Sequence, residues 1–504
     1  VVLLDRDMPS AEKGKAHSAS LMDDQIKKGR ATEAEKEKLL ALLTPTDDYK
    51  LLDGCDLIVE AVFEDSEIKK GVTEKAEAVI AKSATFASNT STIPITSLAK
   101  NSKRPANFIG IHFFSPVDKM MLVEIILGKK TEDRALATAI DYVRAIKKTP
   151  IVVNDTRGFY VNRCVLRYMS EAFQMLIEGV PPAMIENAAK MAGMPVGPLA
   201  LTDETAIDLA QKIMKQTIRD LGEKAVDPKQ FALINTMVDK YGRFGRKNGK
   251  GFYDYPPKPA KKHLWPELKT LYPQQDPDRI DVEELKQRFL AVIALEAARV
   301  MEEGIVTDPR EADVGSILAF GFAPYTGGAL SYIDGMGLDR FLKLAKGLQK
   351  KYGAQFKAPK LLADMAAKGE TFYDRFDPYG KKKQARKAAY PAAFRLARPR
   401  RGSTDMTRYR AKVATENASR YLQQLCKHWS HKFDVGFDPN HGRIAFDADT
   451  SLVLDAELAW LSLRLEGRDA ERVSRLRGVV AEHLQRFGFR EELAIDWHED
   501  VELG

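Results

Sequence analysis

The length, composition and charge of the chain exclude several classes of protein. With 504 residues the chain is too long for one core, and we expect about three or four domains. An apolar fraction of 44% is ordinary for a globular protein, and no apolar run reaches the ~18–20 residues that a membrane-spanning helix needs. We therefore expect a soluble protein without a signal peptide and without stable membrane insertion.

The net charge of +7 comes from one segment. Residues 380–401 contain nine Lys and Arg and no Asp or Glu, and the charges of the remaining chain nearly balance. We therefore expect no nucleic-acid partner and interpret 378–405 as a basic linker, with a nucleic-acid-binding arm or non-coding sequence read through between two genes as alternatives. Three cysteines, Cys55, Cys164 and Cys426, fit no metal or disulfide spacing, which favours a reducing cytoplasm.

The first 155 residues alternate short β-rich apolar runs with polar helical stretches, a pattern typical of a parallel α/β domain. A long charged stretch, Glu12–Leu43, predicts a helical hairpin that stands off the sheet. The candidate strands are Val1–Leu4, Asp56–Val62, Thr85–Ser88, Phe108–Phe113, Leu122–Leu127 and Pro150–Val153.

From Gly158 onward the apolar spacing becomes helical, and an internal repeat appears at an offset of 125. The repeat predicts two related all-α domains, 156–256 and 280–377, and we expect the second to cover the apolar face of the first. The connector Tyr255–Asp278 is rich in Pro and Lys, which predicts a surface crossing. The matching pairs are Asn162-Arg163 with Gln287-Arg288, Glu171-Ala172 with Glu296-Ala297, and Glu178-Gly179 with Glu303-Gly304.

Residues 406–504 predict a small two-layer α+β domain. Its predicted elements are a strand (Arg408–Ala414), a helix (Ala418–Trp429), three strands (Phe433–Phe437, Arg443–Phe446, Ser451–Leu465), a helix (Glu471–Phe487) and a closing strand (Leu493–Trp497).

Four polar residues stand at predicted strand ends or at the entrance to the helical part: Ser91, His112, Glu124 and Asn162. Ligands of open α/β sheets bind at such strand ends. His112 and Glu124 both lie within apolar runs, and a buried carboxylate needs a partner. An imidazole paired with that carboxylate would be held in one tautomer and made a better base, which suits removal of a proton from a hydroxyl group. Taken alone, a histidine beside two phenylalanines is more often a satisfied core residue, and Glu124 could be exposed on an edge strand. Only the two residues together favour a catalytic site.

Five segments of the chain carry a resemblance to a known family: Phe86–Ser91, Gly110–Phe114, Leu122–Glu124, Gly158–Arg163 and Arg243–Tyr253. In these segments the chain resembles the 3-hydroxyacyl-CoA dehydrogenase family, and the resemblance covers about residues 1–377. The doubled helical domain resembles the alpha subunit of multifunctional fatty-acid oxidation complexes. The resemblance implies a Rossmann-like fold, NAD as cofactor and oxidation of a 3-hydroxyacyl-CoA in β-oxidation.

The resemblance also implies roles for individual residues. His112 would be the general base, Glu124 would orient it, and Ser91 and Asn162 would bind the reacting oxygen or the acyl carbonyl. Asp5 would accept hydrogen bonds from the adenosine ribose. The remaining family positions around the cofactor are Val62, Phe63, Glu64, Lys69, Asn89 and Ser115, the last standing where the family usually has Asn.

The family's Gly-rich turn lies about 20 residues before the position of Asp5, upstream of Val1. We therefore expect a sheet without its central strand, weak NAD binding by this chain, and an upstream part that carries this strand and an enoyl-CoA hydratase domain. The alternative function is a structural module that docks a thiolase subunit and has lost cofactor binding.

Residues 406–504 resemble a small bacterial family of unknown function through Arg420–Leu422, His428–Lys432 and Arg486–Leu493. His428 and His431 could share one helix face, which permits a metal or anion site. No acid or cysteine completes a ligand set at fixed spacing, so we expect a solvated helix end and no metal.

Overall fold

The computed structural model describes residues 1–376, 407–430, 433–447, 449–457, 459–487, 491 and 493–499. The chain divides into two compact units, residues 1–386 and 387–504. The predicted linker 378–405 and His431 lie outside the described residues. Within these described ranges, no helix is long and apolar enough to cross a membrane.

The first part of unit 1 is an α/β domain. Its strands are β1 (Val2–Leu4), β2 (Thr44–Thr46), β3 (Leu57–Glu60), β4 (Thr85–Ser88), β5 (Phe108–Phe113), β6 (Leu122–Leu127) and β7 (Thr149–Asn154). Its helices are α1 (Met8–Lys27), α2 (Glu33–Ala41), α3 (Ser66–Glu77), α4 (Ile95–Leu98) and α5 (Asp133–Ala145). The predicted helical hairpin is confirmed as α1 and α2, which pack together and are joined by an ion pair of Lys36 with Asp23 at 2.5 Å.

The strands form two sheets rather than one. β3 to β7 make a five-stranded sheet in sequence order, whereas β1 pairs in parallel with β2 in a separate two-stranded sheet. The predicted parallel arrangement is wrong at one position, because β5 and β6 are antiparallel. Only eight residues, 114–121, connect them, and a parallel crossover needs a dozen or more.

The rest of unit 1 is almost entirely helical. Its helices are α6 (Val161–Ile177), α7 (Pro182–Met191), α8 (Pro198–Thr205), α9 (Ile207–Leu221), α10 (Pro228–Asn235), α11 (Leu268–Leu271), α12 (Val282–Glu302), α13 (Pro309–Phe320), α14 (Ala329–Met336), α15 (Leu338–Tyr352), α16 (Lys360–Lys368) and α17 (Phe372–Arg375). Two short strands, β8 (Tyr253–Asp254) and β9 (His263–Leu264), also pair here. The connector is therefore more than a surface crossing, since its Trp265 and Leu268 are buried.

The two halves of this helical part are related, and α6 of the first packs against its equivalent, α12, of the second. The buried Arg288 of α12 binds two residues of α6 and the turn after it, Glu171 at 2.6 Å and Glu178 at 2.7 Å. Both Arg288 and Glu171 are almost completely buried.

The same contact recurs with the halves exchanged. Arg163 of α6 binds Glu296 at 2.8 Å and also pairs with Glu303. These residues are the repeat partners of Arg288, Glu171 and Glu178 at the offset of 125. The halves therefore meet as two subunits of a symmetric dimer would, each presenting the same patch to the other.

In the residues that the structure describes, unit 2 consists of a six-stranded antiparallel sheet and two helices. Its elements are β10 (Thr407–Ala414), α18 (Ala418–Trp429), β11 (Asp434–Phe437), β12 (His441–Ala445), β13 (Ser451–Ala456), β14 (Trp460–Gly467), α19 (Ala470–Phe487) and β15 (His498–Glu499). The strand order is β11-β12-β13-β14-β10-β15. Buried apolar side chains of one sheet face, including Leu452, Leu463 and Ile444, form a core with Leu422 and Val480 of the helices.

Two predictions for unit 2 are wrong. Ser451–Leu465 is not one strand but two antiparallel strands, β13 and β14, with a reversal between Ala456 and Trp460. The closing strand is not Leu493–Trp497 but the shorter β15 at His498–Glu499, which pairs with β10. Both errors came from apolar alternation that continues through these positions without a Gly or Pro signal.

Candidate active site

His112 and Glu124 face each other across two neighbouring strands. They are directly paired in the antiparallel register of β5 and β6, so their side chains leave the same face of the sheet. His112 Nδ1 lies 2.8 Å from Glu124 Oε2. His112 is 4% exposed and Glu124 is fully buried. The antiparallel connection that the sequence analysis missed is therefore what brings this pair together.

Glu124 is held from a second side by the start of α6. Its Oε1 accepts hydrogen bonds from the backbone N–H groups of Tyr160, at 3.1 Å, and Val161, at 2.9 Å. The first N–H groups of a helix have no partner within the helix and favour a negative charge. Three donors, including the imidazole, thus surround this buried carboxylate and compensate its loss of hydration.

Aromatic rings enclose the His112 imidazole. The ring centroids of Phe114 and Phe159 lie 4.5 Å and 5.8 Å from that of His112. Phe159 follows Gly158 in a turn where both have positive φ, 73° for Gly158 and 50° for Phe159. Such a conformation costs a non-glycine residue about 1–2 kcal/mol, and here it places the Phe159 ring beside the imidazole. Because Nδ1 faces Glu124, Nε2 is the nitrogen left for another group.

Asn162 and Ser91 also come together. The Asn162 side-chain amide, in the first turn of α6, donates to the backbone carbonyl of Ser91 at 3.0 Å. Ser91 lies in the turn after β4. The structure thus gathers all four polar residues around one junction between the sheet and the helical part.

The turn that contains Ser91 is fastened by Glu64. The Glu64 carboxylate accepts hydrogen bonds from the hydroxyl of Thr90 (2.7 Å) and the backbone N–H groups of Ser91 (3.0 Å) and Thr92 (2.9 Å). Burial acts to raise the pKa of Glu64, but the hydrogen bonds from Thr90 and Thr92 and the charge of Lys69 together hold this pKa below its usual value. Glu64 is therefore a fixed negative group beside the turn.

Glu60, at the end of β3, is a site-forming residue that the sequence analysis missed. It is 5% exposed and binds Lys69, itself 2% exposed, through both oxygens at 3.0 and 3.1 Å. Glu60 also accepts from the Ser88 hydroxyl and from the backbone N–H of Val62 at 3.2 Å. An acid at the end of an apolar strand, nine residues before a lysine, was the signal available in the sequence.

The remaining predicted cofactor residues lie in different surroundings. Asn89 accepts a hydrogen bond from the backbone N–H of Phe113 at 2.8 Å and so joins the ends of β4 and β5. Phe63 is 75% exposed, and Ser115 is exposed too. Asp5 follows β1 in the separate sheet, where its carboxylate accepts from the backbone N–H of Arg6 at 2.7 Å.

The residues of the main sheet fit part of a dinucleotide. Val62 and Glu64 follow β3, Asn89 and Ser91 follow β4, and His112 lies at the end of β5. Carboxyl ends of neighbouring strands are where open α/β sheets bind such ligands. Among the residues that the structure describes, no group of three or more His, Cys, Asp or Glu could hold a metal ion.

Fold and site together define a nucleotide-dependent dehydrogenase, and comparison with known families agrees. Residues 1–156 match the family described as "3-hydroxyacyl-CoA dehydrogenase, NAD binding domain", and residues 158–255 match the C-terminal domain of the same enzyme. This part of the chain belongs to the 3-hydroxyacyl-CoA dehydrogenase family, which consists of oxidoreductases with NAD as cofactor.

The chain is also similar to individual curated proteins. The chain is 42% identical over 359 residues to the fatty acid oxidation complex subunit alpha of Shewanella amazonensis, covering 71% of this chain and 50% of that protein. The subunit of the same name from Shewanella oneidensis is 39% identical, with 72% and 51% covered. The chain thus spans about half the length of the curated relatives that it matches.

Two solved structures support the fold. The dehydrogenase part of multifunctional enzyme 1 from C. elegans is 26% identical with a TM-score of 0.52, covering 72% of this chain and 83% of that one. The 3-hydroxybutyryl-CoA dehydrogenase of Escherichia coli has a TM-score of 0.62 at 23% identity, covering 73% and 93%, and shows the fold alone. Residues 410–498 match a family described as "uncharacterized protein conserved in bacteria (DUF2218)".

Proposed function

We propose that unit 1 catalyses the NAD-dependent oxidation of (3S)-3-hydroxyacyl-CoA to 3-oxoacyl-CoA, with His112 as the general base. The observation that carries this proposal is the buried His112–Glu124 pair at 2.8 Å, with Nε2 of the imidazole left to meet a substrate.

In this mechanism His112 Nδ1–H donates to Glu124, which leaves Nε2 as the proton acceptor. Nε2 takes the proton of the C3 hydroxyl, and the resulting imidazolium is stabilised by the Glu124 carboxylate. The N–H groups of Tyr160 and Val161 hold that carboxylate in place through hydrogen bonds to its other oxygen. NAD, when bound, supplies the acceptor for the hydride that leaves C3.

Ser91 and Asn162 are the proposed donors to the reacting oxygen or to the nearby acyl carbonyl. The bond between Asn162 and the Ser91 carbonyl fixes the amide of Asn162 at the rim of the site. The aromatic wall formed by Phe114 and Phe159 lowers the local dielectric around His112, which strengthens charge–dipole interactions there.

The proposed cofactor residues are Val62, Phe63, Glu64, Asn89, Ser91 and Ser115, with Asp5 for the adenosine ribose. Lys69 would act through the loop rather than by direct contact, because it is buried and engaged with Glu60 and Glu64. Its charge would hold the loop of residues 61–64 in the shape that the nicotinamide–ribose end needs.

We infer the wider setting from the relatives. They are named subunits of a fatty acid oxidation complex and are about twice as long as the matching part. We propose that the dehydrogenase works in the bacterial cytoplasm, in β-oxidation, beside an enoyl-CoA hydratase domain and a thiolase subunit.

The test is turnover of a 3-hydroxyacyl-CoA with NAD, followed by the appearance of NADH. It is made on a chain extended upstream by the family's strand and Gly-rich turn, with and without His112→Gln. Loss of a general base should lower turnover by about 10²–10⁴-fold. The matched control is His441→Gln, an exposed histidine of unit 2 paired with Asp455. Full activity of His112→Gln would remove His112 from the mechanism. An extended chain that neither binds NAD nor turns over would favour the thiolase-docking module instead.

A further inference from the structure

The sheet of unit 2 has one face covered by helices and one face exposed. Along β14, Leu461, Leu463 and Leu465 are buried beneath α18 and α19, whereas the alternating residues Trp460 and Arg464 are exposed. Because strand side chains alternate between faces, the exposed face can be followed from strand to strand through the pairing register.

This register places basic side chains in one straight row across the exposed face. Arg464 of β14 is directly opposite Arg410 of β10 on one side and Val453 of β13 on the other. Val453 is opposite Arg443 of β12, and Arg410 is opposite His498 of β15. We call the exposed Arg410, Arg443, Arg464 and His498 the arginine row. With a strand spacing of ~4.8 Å, it extends over roughly 19 Å.

Two arginines of the row, Arg443 and Arg464, have no ion-pair partner among the residues that the structure describes. Elsewhere on the same face, Arg408 pairs with Glu466 at 3.6 Å and His441 pairs with Asp455 at 2.8 Å. The guanidinium groups of Arg443 and Arg464 are therefore available to an external anion.

The basic side chains of the row lie close together on the sheet, although this part of the chain is not basic as a whole. Residues 407–499 contain nearly equal numbers of basic and acidic side chains. The row therefore comes from the positions that the strand register gives to a few basic residues, and not from an excess of basic residues in the unit. An exposed row of this length suits an extended anion.

An aromatic side chain completes the surface. Trp460, on the same face of β14 as Arg464, is 43% exposed, unusual for the largest apolar side chain. Exposed aromatic rings beside basic groups that follow a backbone are the two parts of a surface that binds single-stranded nucleic acid.

We propose that the arginine row and Trp460 bind single-stranded nucleic acid, with the guanidinium groups on successive phosphates and the indole stacked on a base. Arginine suits this role because its planar fork donates two hydrogen bonds to one phosphate. This departs from the expectation of no nucleic-acid partner, which considered charge along the chain and not its placement on the sheet. It is independent of the dehydrogenase proposal.

The experiment measures binding of a fluorescent 20-nucleotide single-stranded DNA to the full chain across a salt series. Each arginine on a phosphate contributes about 0.7 to the slope of log affinity against log salt. Arg443→Gln with Arg464→Gln should therefore lower the slope by about 1.4 and the affinity at low salt by tenfold or more. The matched control, Arg475→Gln, changes an exposed arginine of α19 on the other side of the sheet and should leave both unchanged.

Trp460→Ala separates stacking from charge, because it should weaken binding without changing the salt slope. Binding that is equal in all variants would place the nucleic acid on the basic segment 380–401 and overturn the proposal. Equal loss in the Arg475→Gln control would show a general charge effect and also overturn it. Poly-glutamate that competes as well as unlabelled DNA would point to an acidic protein partner instead, with the same consequence.

Discussion

The two helical repeats share a fold but begin their central helices differently. α12 is capped by its own Asp281, whose carboxylate accepts from the N–H groups of Glu283 and Glu284. α6 has no side-chain cap of its own, and its N–H groups at Tyr160 and Val161 bind Glu124 of the sheet. The second copy thus satisfies the start of its helix locally, whereas the first copy uses N–H groups at its helix start to hold Glu124 of the proposed catalytic pair.

The residues just after the two helix starts also differ between the copies. Asn162 in the first copy contacts the Ser91 turn, and Gln287 stands at the equivalent position of the second copy. The reciprocal ion pairs of Arg163 and Arg288 are nevertheless kept in both. The comparison teaches that both copies keep the interface, whereas only the first copy contacts the proposed site, so the second copy takes the place of a partner subunit.

Removal of the second copy should have the largest effect. Deleting residues 280–377 would expose the apolar side of α6, which packs on α12, and leave Arg163 without Glu296 and Glu303. We expect dimerisation or aggregation, because the exposed patch would exceed what a monomer tolerates. Light scattering after size-exclusion chromatography measures this, and a soluble monomeric product would contradict the partner-subunit interpretation.

Replacing Arg288 or Arg163 should lower the free energy of unfolding by different amounts, although the two arginines make equivalent contacts. Arg288→Ala leaves the buried Glu171 without its cation and should cost about 3–5 kcal/mol. Arg163→Ala should cost about 1–3 kcal/mol, because Glu296 keeps Arg167 at 3.1 Å and Arg299 at 2.8 Å.

Chemical denaturation of unit 1 compares these two variants, with the exposed Arg279→Ala as a control for loss of a surface arginine. A larger loss for Arg163→Ala than for Arg288→Ala would mean that the interface is not organised around the buried pair.

The smallest expected effect is on the pH dependence of the free energy of unfolding, which compares one buried aspartate in each copy. Burial raises the pKa of Asp203 in the first copy to about 6, against the opposite effect of N–H groups from Tyr253 and Phe252. Burial likewise raises the pKa of Asp334 in the second copy to about 6, although the N–H of Phe372 acts against it. An unfolded Asp titrates near pH 4, so the folded chain holds these protons more tightly.

The stability contributed by these two groups is therefore complete below about pH 4 and is lost as pH rises to about 6, by at most about 1.4 kcal/mol per pH unit for each group. Asp203→Asn and Asp334→Asn should each flatten the decline of unfolding free energy over this range by a similar amount. If only one substitution flattens the decline, only one of the two aspartates has a raised pKa in the folded chain.

Much of the fold follows from local pattern. The bounds of β4, β5, β6 and α18 agree with prediction to the residue, because each is a buried or strongly amphipathic run with clear ends. The repeat offset predicted equivalence of the two halves before any contact was known. What failed was long-range geometry: the antiparallel β5–β6 pair and the reversal after Ala456 depend on connection and tertiary packing.

For the site, the sequence placed His112 and Glu124 in apolar surroundings but could not give their register. Glu60 was missed because its role depends on Ser88 and Lys69, which are distant in sequence and meet only in the folded sheet. Lys69 was predicted near the cofactor, and only the structure places it beneath the loop.

The double attachment of Glu124 has one more consequence. Its two oxygens serve different domains, one the imidazole on the sheet and the other the start of α6. The proposed general base is therefore supported on both sides only when the start of α6 has docked on the sheet. In a chain whose α6 has moved away from the sheet, Glu124 would lose half of its hydrogen-bond partners, and we expect the proposed activity to be lost with them.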